Sequence, residues 1–153
     1  MKPPSLSFNP RTILSLQHLD DAHQMDSSGQ LTDRHGCPAY VSPEMLQPGS
    51  YSGRAADLWS LGVILYTLLV GHYPFFDSSP QNLFSKVRSG CYQVPDSVSY
   101  LARSLISSLL AYEPEKRVPA EAILEHPWFT QASDQELMPP HLDQMVPKIG
   151  CVL

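Results

Sequence analysis

The stretch 55–71, A-A-D-L-W-S-L-G-V-I-L-Y-T-L-L-V-G, constrains the fold of this chain more than any other. Wound into a helix it has no solvated face, so the pattern predicts a rod buried on nearly all sides. A membrane span is the first rival. The uninterrupted apolar run falls short of the roughly 18–20 residues a bilayer requires, and Asp57, Ser60 and Gly62 lie inside it. A core helix is the reading that remains. Asp57 is its only charge, and a charge is costly to bury alone, so its carboxylate is expected to accept hydrogen bonds from backbone N–H groups of a neighbouring segment.

Around such a rod, 153 residues leave room for one domain with tails, and a 42% hydrophobic share can supply its core. With a net charge of −5 and no Lys/Arg cluster, nothing in the sequence suggests a phosphate-binding surface for nucleic acid or an anionic membrane patch. Cys37, Cys91 and Cys151 are odd in number and contain no C-x-x-C pair, which suits reduced thiols better than a disulfide framework. The start, Met1-Lys2-Pro3-Pro4, opens no long apolar run, so no secretory signal is read there. Cytoplasm or nucleus is the expected location.

Residues 1–32 mix Pro, Ser, Asn and Gln with a β-capable stretch at 12–16 and a Ser-Ser-Gly turn at 27–29; one or two short strands are expected there. Residues 31–46 carry two prolines and a glycine and predict a loop closing on a short helix near Pro43-Glu44. A turn at 47–53 then leads into the rod. Gly71 stops it, and His72-Tyr73-Pro74-Phe75-Phe76-Asp77 reads as an aromatic loop. Leu83, Phe84 and Val87 fall at helical spacing between Pro80 and the stop signal Gly90. Ser99 is a candidate N-cap for a helix carrying Leu101, Leu105, Ile106, Leu109 and Leu110, which Pro114 cannot continue. A short helix is expected over 119–125, and His126-Pro127-Trp128-Phe129 ends the folded part. Residues 130–153 lack periodicity and predict a flexible tail containing one compact motif, Asp143-Gln144-Met145-Val146-Pro147.

Ser42-Pro43-Glu44, Asp57-x-Trp59-Ser60-x-Gly62, Pro74-Phe75, Pro114-x-x-Arg117 and His126-Pro127-Trp128-Phe129, in this order, resemble the C-terminal lobe of a protein kinase. His35-Gly36-Cys37-Pro38-Ala39-Tyr40-Val41-Ser42-Pro43-Glu44 and Tyr51-Ser52-Gly53-Arg54-Ala55-Ala56-Asp57 are similar to the Tribbles pseudokinases, since active kinases usually carry Gly-Thr in place of Gly36-Cys37. The resemblance implies a mainly α, partial kinase-like C-lobe over 33–129, a leader over 1–32 and a flexible tail over 130–153. It implies structural roles for Asp57, Trp59 and Gly62, and a buried ion pair between Glu44 and Arg117. It further implies that Asp143, Gln144, Met145, Val146 and Pro147 bind a ubiquitin ligase of the constitutive-photomorphogenic type. Ile123, Leu124, Glu125, His126, Pro127, Trp128 and Phe129 resemble the segment that the family is proposed to use on MAP kinase kinases. Substrate proteins such as transcription factors would be the cargo, with no nucleic acid or membrane partner.

Phosphoryl transfer needs a lysine on the phosphates, an aspartate at the acceptor hydroxyl and Asp/Asn ligands for magnesium. The 153 residues contain no glycine-rich phosphate loop, V-A-I-K strand, H-R-D-x-x-x-x-N loop or D-F-G. Asp20, Asp21 and Asp33 have no recognisable cradle. The expectation is therefore no catalytic residue, no cofactor and no metal, in a chain that acts as a scaffold. It is also expected to be marginally stable, with an apolar face of the long helix left exposed. The rival is a fragment of an active ATP-dependent serine/threonine kinase.

Overall fold

Ser52 starts the long helix: its Oγ accepts the Ala55 backbone N–H at 3.3 Å, and Gly71 ends the helix in the left-handed region at φ 87°. In the computed structural model, which describes Ala22, Met25 and residues 27–130, this helix α1 runs Gly53–Val70. Before it, Gln30–Leu31 (β1) pairs antiparallel with Tyr51–Ser52 (β2), Leu31 opposite Tyr51. Between the strands the chain makes two 3₁₀ turns, Pro38–Tyr40 and Glu44–Leu46. The strand pairing falls partly where a plain turn was expected, because two residues per strand are too few for any alternation to register. The leader stretch at 12–16 and the tail after residue 130 lie outside the described residues.

Four further helices follow, three of them where the sequence placed them. Pro80–Ser89 (α2) begins with proline in its first turn and stops at Gly90, φ 64°. Tyr100–Leu109 (α3) is capped by Ser99, whose Oγ accepts the Ala102 N–H at 3.3 Å. Ala120–Ile123 (α4) is one turn long, and Pro127–Thr130 (α5) makes another turn where the sequence suggested only a terminus. The architecture is mainly α, as expected, with the two-stranded ribbon at its edge.

The core forms on one side of α1. Trp59, Val63 and Tyr66 are almost wholly buried, at i, i+4 and i+7, and face α3 and the aromatic loop. Trp59 stacks on Phe75 with centroids 5.6 Å apart, and Phe75 meets Tyr92 edge-on. Gly62 sets the distance between α1 and α3: a Cβ there would lie 2.8 Å from Leu110 Cδ2 and 2.9 Å from Leu109 Cβ. α3 is buried on two sides. Ala102 and Ile106 turn to the α1 cluster, while Leu105 and Leu109 pack with Ile123.

α1 is less enclosed than the rod buried on nearly all sides that its pattern predicts, and it shows the exposed apolar face that was also expected. Arg54, Asp57, Leu61 and Leu69 are exposed, the two leucines at 40% each, so the helix has one packed side and one open apolar side. The apolar composition of the rod records what every side is made of, whereas partners among the described residues come from α3, the aromatic loop, the 3₁₀ turn Pro38–Tyr40 and Arg117. The helix is long and apolar enough to cross a membrane by length and composition. Its fully buried Trp59 and Val63 pack within this lobe, which makes it a core helix here.

Candidate docking surface

The segment Ile123 to Phe129 is the corner where α4 meets α5, and its side chains divide into two groups. Ile123 is buried with Leu105 and Leu109, and Trp128 packs against both hydrophobic clusters. Leu124 is 71% exposed and Phe129 40%. Trp128 and Phe129 meet edge-on with centroids 4.8 Å apart, so the half-buried ring holds the exposed one in place. Glu125 and Pro127 are exposed. Four of the seven residues are therefore offered to solvent, while Ile123 and Trp128 fasten the corner to the core and His126 is half-buried.

His126 shapes the corner. Its carbonyl accepts from Phe129 N–H at 2.9 Å, its Nδ1 accepts from Trp128 N–H at 3.2 Å, and its Nε2 lies 3.3 Å from Ser104 Oγ on α3. This is an N-cap made by an imidazole, with Pro127 in the first helical position. Sequence reasoning missed it because histidine is not among the usual capping residues. The only signal was His-Pro at the head of an aromatic pair.

Glu44 and Arg117, 73 residues apart, meet in a two-pronged contact: NH1 to Oε1 at 2.6 Å and NH2 to Oε2 at 2.8 Å. The Arg117 side chain is fully buried, and it also donates to the carbonyls of Ala55, Ala111 and Tyr112. Its guanidinium carbon stands 5.0 Å from the centre of the Trp59 ring. One side chain thus ties the 3₁₀ turn at Glu44, the start of α1 and the loop after α3 into a single frame. That frame carries α4 and α5. Arg34 makes a second fastening missed in the sequence, donating to the carbonyls of Met45, Gln47 and Gly49.

Asp57 sits on the open side of α1 and has no hydrogen-bond donor among the described residues. The lobe beneath it displaces part of its hydration and raises the carboxyl pKa above the ordinary carboxylate value. No neighbouring backbone among the described residues supplies the donors that a buried Asp57 calls for. Trp59 Nε1 and Ser42 Oγ are buried without a hydrogen-bond partner among the described residues. An open groove of about 700 Å³ between the end of α1 and the loop before α3 is lined by Tyr66, His72, Pro74, Val94, Pro95 and Asp96; none of the expected site residues faces it. Among the described residues no group of three or more His, Cys, Asp or Glu side chains could hold a metal ion. Asp143, Gln144, Met145, Val146 and Pro147 lie outside the described residues.

A helical lobe whose first 3₁₀ turns are tied to its last loop by a buried Glu–Arg pair, around a central Trp-bearing helix, defines the C-terminal part of a protein kinase domain. The protein kinase domain family matches residues 9–129, reaching back into the leader. The chain is 52% identical over 147 residues to human (Homo sapiens) Tribbles homolog 1, which covers 93% of this chain and 40% of that protein. It is 53% identical over 122 residues to Tribbles homolog 2 of Canis lupus familiaris, covering 78% and 36%, and 49% identical over 144 residues to Tribbles homolog 3 of Rattus norvegicus, covering 90% and 41%. The chain belongs to the protein kinase domain family, and within that family the relatives it matches are Tribbles homologs. It spans about two fifths of the length of the relatives it matches.

Proposed function

We propose that this chain is a non-catalytic adaptor that holds a MAP kinase kinase on the α4–α5 corner and a ubiquitin ligase of the constitutive-photomorphogenic type on its tail, and that it modulates kinase signalling without transferring phosphate. The observation that carries the reading is the division of labour at the corner: Leu124 and Phe129 are exposed while Ile123 and Trp128 pin them to the core. Exposed apolar side chains on a fixed frame are the form that a binding hot spot takes, because little ordering entropy is lost on contact.

On the tail, Met145 and Val146 would fill apolar pockets, Pro147 would hold the peptide extended and Asp143 would supply charge. The motif begins at residue 143, a short tether beyond the corner at 129, so a ligase bound there is confined near whatever the lobe holds. Substrate proteins such as transcription factors would be delivered in the same way, in the cytoplasm or nucleus. The sequence supports a scaffold over an enzyme: Gly36-Cys37 stands where active kinases usually carry Gly-Thr, and the chain holds none of the phosphate- and magnesium-binding motifs.

The test is capture of purified ligase by the full chain and by its Val146→Ala/Pro147→Ala form, with Leu124→Asp/Phe129→Ala assayed in parallel against a MAP kinase kinase. Ligase is expected to bind the parent chain and to be lost from the tail variant alone. A parent chain that captures no ligase, or a tail variant that binds as well as the parent, removes the adaptor reading.

A further inference from the structure

The groove between the end of α1 and the loop before α3 belongs to neither the buried Glu–Arg frame nor the α4–α5 corner. One wall is irregular backbone held by side chains: Tyr66 Oη donates to the Gln93 carbonyl at 2.6 Å, and Arg103 donates to the carbonyls of Val94 and Pro95 at 3.3 and 3.1 Å. The facing wall is the turn after α1. There the His72 ring meets Tyr66 edge-on with centroids 5.7 Å apart, and its Nδ1 lies 3.0 Å from the Tyr73 carbonyl, which can only accept. Both walls are fixed before any ligand arrives, so little is left to be ordered on binding.

The lining has an apolar part and a charged part. Tyr66 is buried at the floor, Pro74 and Val94 are half-buried, and His72 and Pro95 stand exposed at the rims, so rings form a shallow trough. Asp96 is the one carboxylate in it, and no lysine or arginine lines it to repel a cation. The Asp96 side chain is fully exposed, and Arg103, itself off the lining, engages only Oδ1, at 3.3 Å. Oδ2 has no donor among the described residues. With its Nδ1–H turned to the Tyr73 carbonyl, a neutral His72 leaves Nε2 as a second open acceptor.

We propose that this groove is a docking site for a proline-rich segment of a partner protein that carries an arginine or lysine, its pyrrolidine rings lying in the trough and its cation on Asp96. A polyproline II segment suits a shallow trough because it is stiff before it binds and presents its rings as ridges. The cation then sets the direction in which the segment lies. The chain's own ends suit the groove less well. Over 131–153, Asp134, Glu136 and Asp143 stand against Lys148 alone. Lys2-Pro3-Pro4 and Pro10-Arg11 have the right chemistry, but the leader meets the lobe where Met25 lies against Gly53, at the far end of an 18-residue helix about 27 Å long. The site stands apart from the docking reading of the α4–α5 corner.

The probe is the fluorescein-labelled peptide Pro-Pro-Leu-Pro-Pro-Arg, titrated with the full chain and followed by fluorescence anisotropy. Two peptides of the same length serve as controls, one ending in glutamate and one with alanine for every proline. The arginine peptide is expected to bind about fivefold more tightly than the glutamate peptide at low salt, the scale of an exposed ion pair, and the difference should shrink as salt is raised. Asp96→Asn should erase that difference without unfolding the chain, because its pair with Arg103 is exposed. His72→Ala should weaken both proline peptides alike. Leu124→Asp/Phe129→Ala should bind the arginine peptide as the parent does.

A parent chain that leaves the arginine peptide free overturns the proposal, and so does one that binds the alanine control equally well. An arginine preference that survives Asp96→Asn overturns the role of the carboxylate and with it the proposal. Loss of binding in Leu124→Asp/Phe129→Ala would place the peptide at the α4–α5 corner instead. Lys2→Glu/Arg11→Glu in the full chain should leave the affinity unchanged; tighter binding by that variant would show that the leader already fills the groove, which also overturns the assignment to a partner.

Discussion

Replacing Glu44 by alanine should cost more stability than any other single change at the surface of this lobe. Arg117 spends all five N–H donors inside the protein: two on Glu44 and three on the carbonyls of Ala55, Ala111 and Tyr112. Its side chain has no exposure and that of Glu44 only 13%, so removing Glu44 leaves the guanidinium largely buried without its counter-charge. A buried charge stripped of its partner costs about 3–5 kcal/mol, against about 0–1 kcal/mol for an exposed pair, and the full burial of Arg117 places this pair in the first class. Native domains are held by only about 5–15 kcal/mol, so Glu44→Ala should be substantially unfolded in mild urea where the parent is not. Urea titration followed by far-ultraviolet circular dichroism measures this. Adding Arg117→Met to Glu44→Ala should restore more than about 1 kcal/mol, because the double variant buries no lone charge. A Glu44→Ala chain within about 1 kcal/mol of the parent would refute the reasoning, since the pair would then behave as a hydrated surface contact.

Gly62→Ala should destabilise the lobe: overpacking against Leu109 Cβ and the Leu110 side chain costs about 1–3 kcal/mol, more than the roughly 1 kcal/mol a helix gains on losing glycine, and a chemical melt reads the balance. Leu61→Gln with Leu69→Gln should leave the melting midpoint nearly unchanged while reducing self-association in sedimentation, because both side chains already face outward. Asp57→Asn should raise stability near neutral pH. The folded-state pKa of Asp57 is raised, so its penalty is fully present above that value and disappears as the pH falls to the ordinary carboxylate range; the parent should gain stability across that window and the asparagine form should not. Asp77 has the opposite sign. The Ser79 N–H, the Lys86 ammonium and the Asn82 amide lower its pKa, so its contribution holds above the ordinary carboxylate value and is lost as the pH falls through the lowered one, a loss that Asp77→Asn should abolish in the same titration.

Local signals carried much of this fold. α2 lies between Pro80 and Gly90 because proline fits a first turn and glycine accepts the left-handed stop, and α3 begins where Ser99 can cap it. These are short-range effects, so a sequence states them directly. The contact between Glu44 and Arg117 spans 73 residues and no periodicity encodes it; only the resemblance to a kinase lobe named the two as a pair. The α4–α5 corner was half legible. Its residues could be named from the same resemblance, yet which side chains point outward depends on Ile123 and Trp128 finding pockets made by α3, and the cap at His126 depends on a ring nitrogen meeting a backbone amide two residues on.

The long helix is where local pattern and tertiary structure part company. Val63 and Leu61 are two residues apart and equally at home in a core, but one is wholly buried and the other 40% exposed, because an apolar pattern records what a surface could be packed against and is silent on whether a partner is there. Gly62 lies between them and settles which side closes. Without a side chain it lets Leu109 and Leu110 approach to a distance no Cβ would allow, so α3 takes that side of the helix. Asp57 is left on the opposite side, where the absence of a donor among the described residues and its raised pKa have one origin: the helix supports a charge on a surface otherwise built for packing. The same division explains how the chain can be firmly framed and adhesive at once. Its buried pair and aromatic stack hold the α1–α3 side together, while Leu61 and Leu69 expose apolar surface whose association their substitutions measure directly.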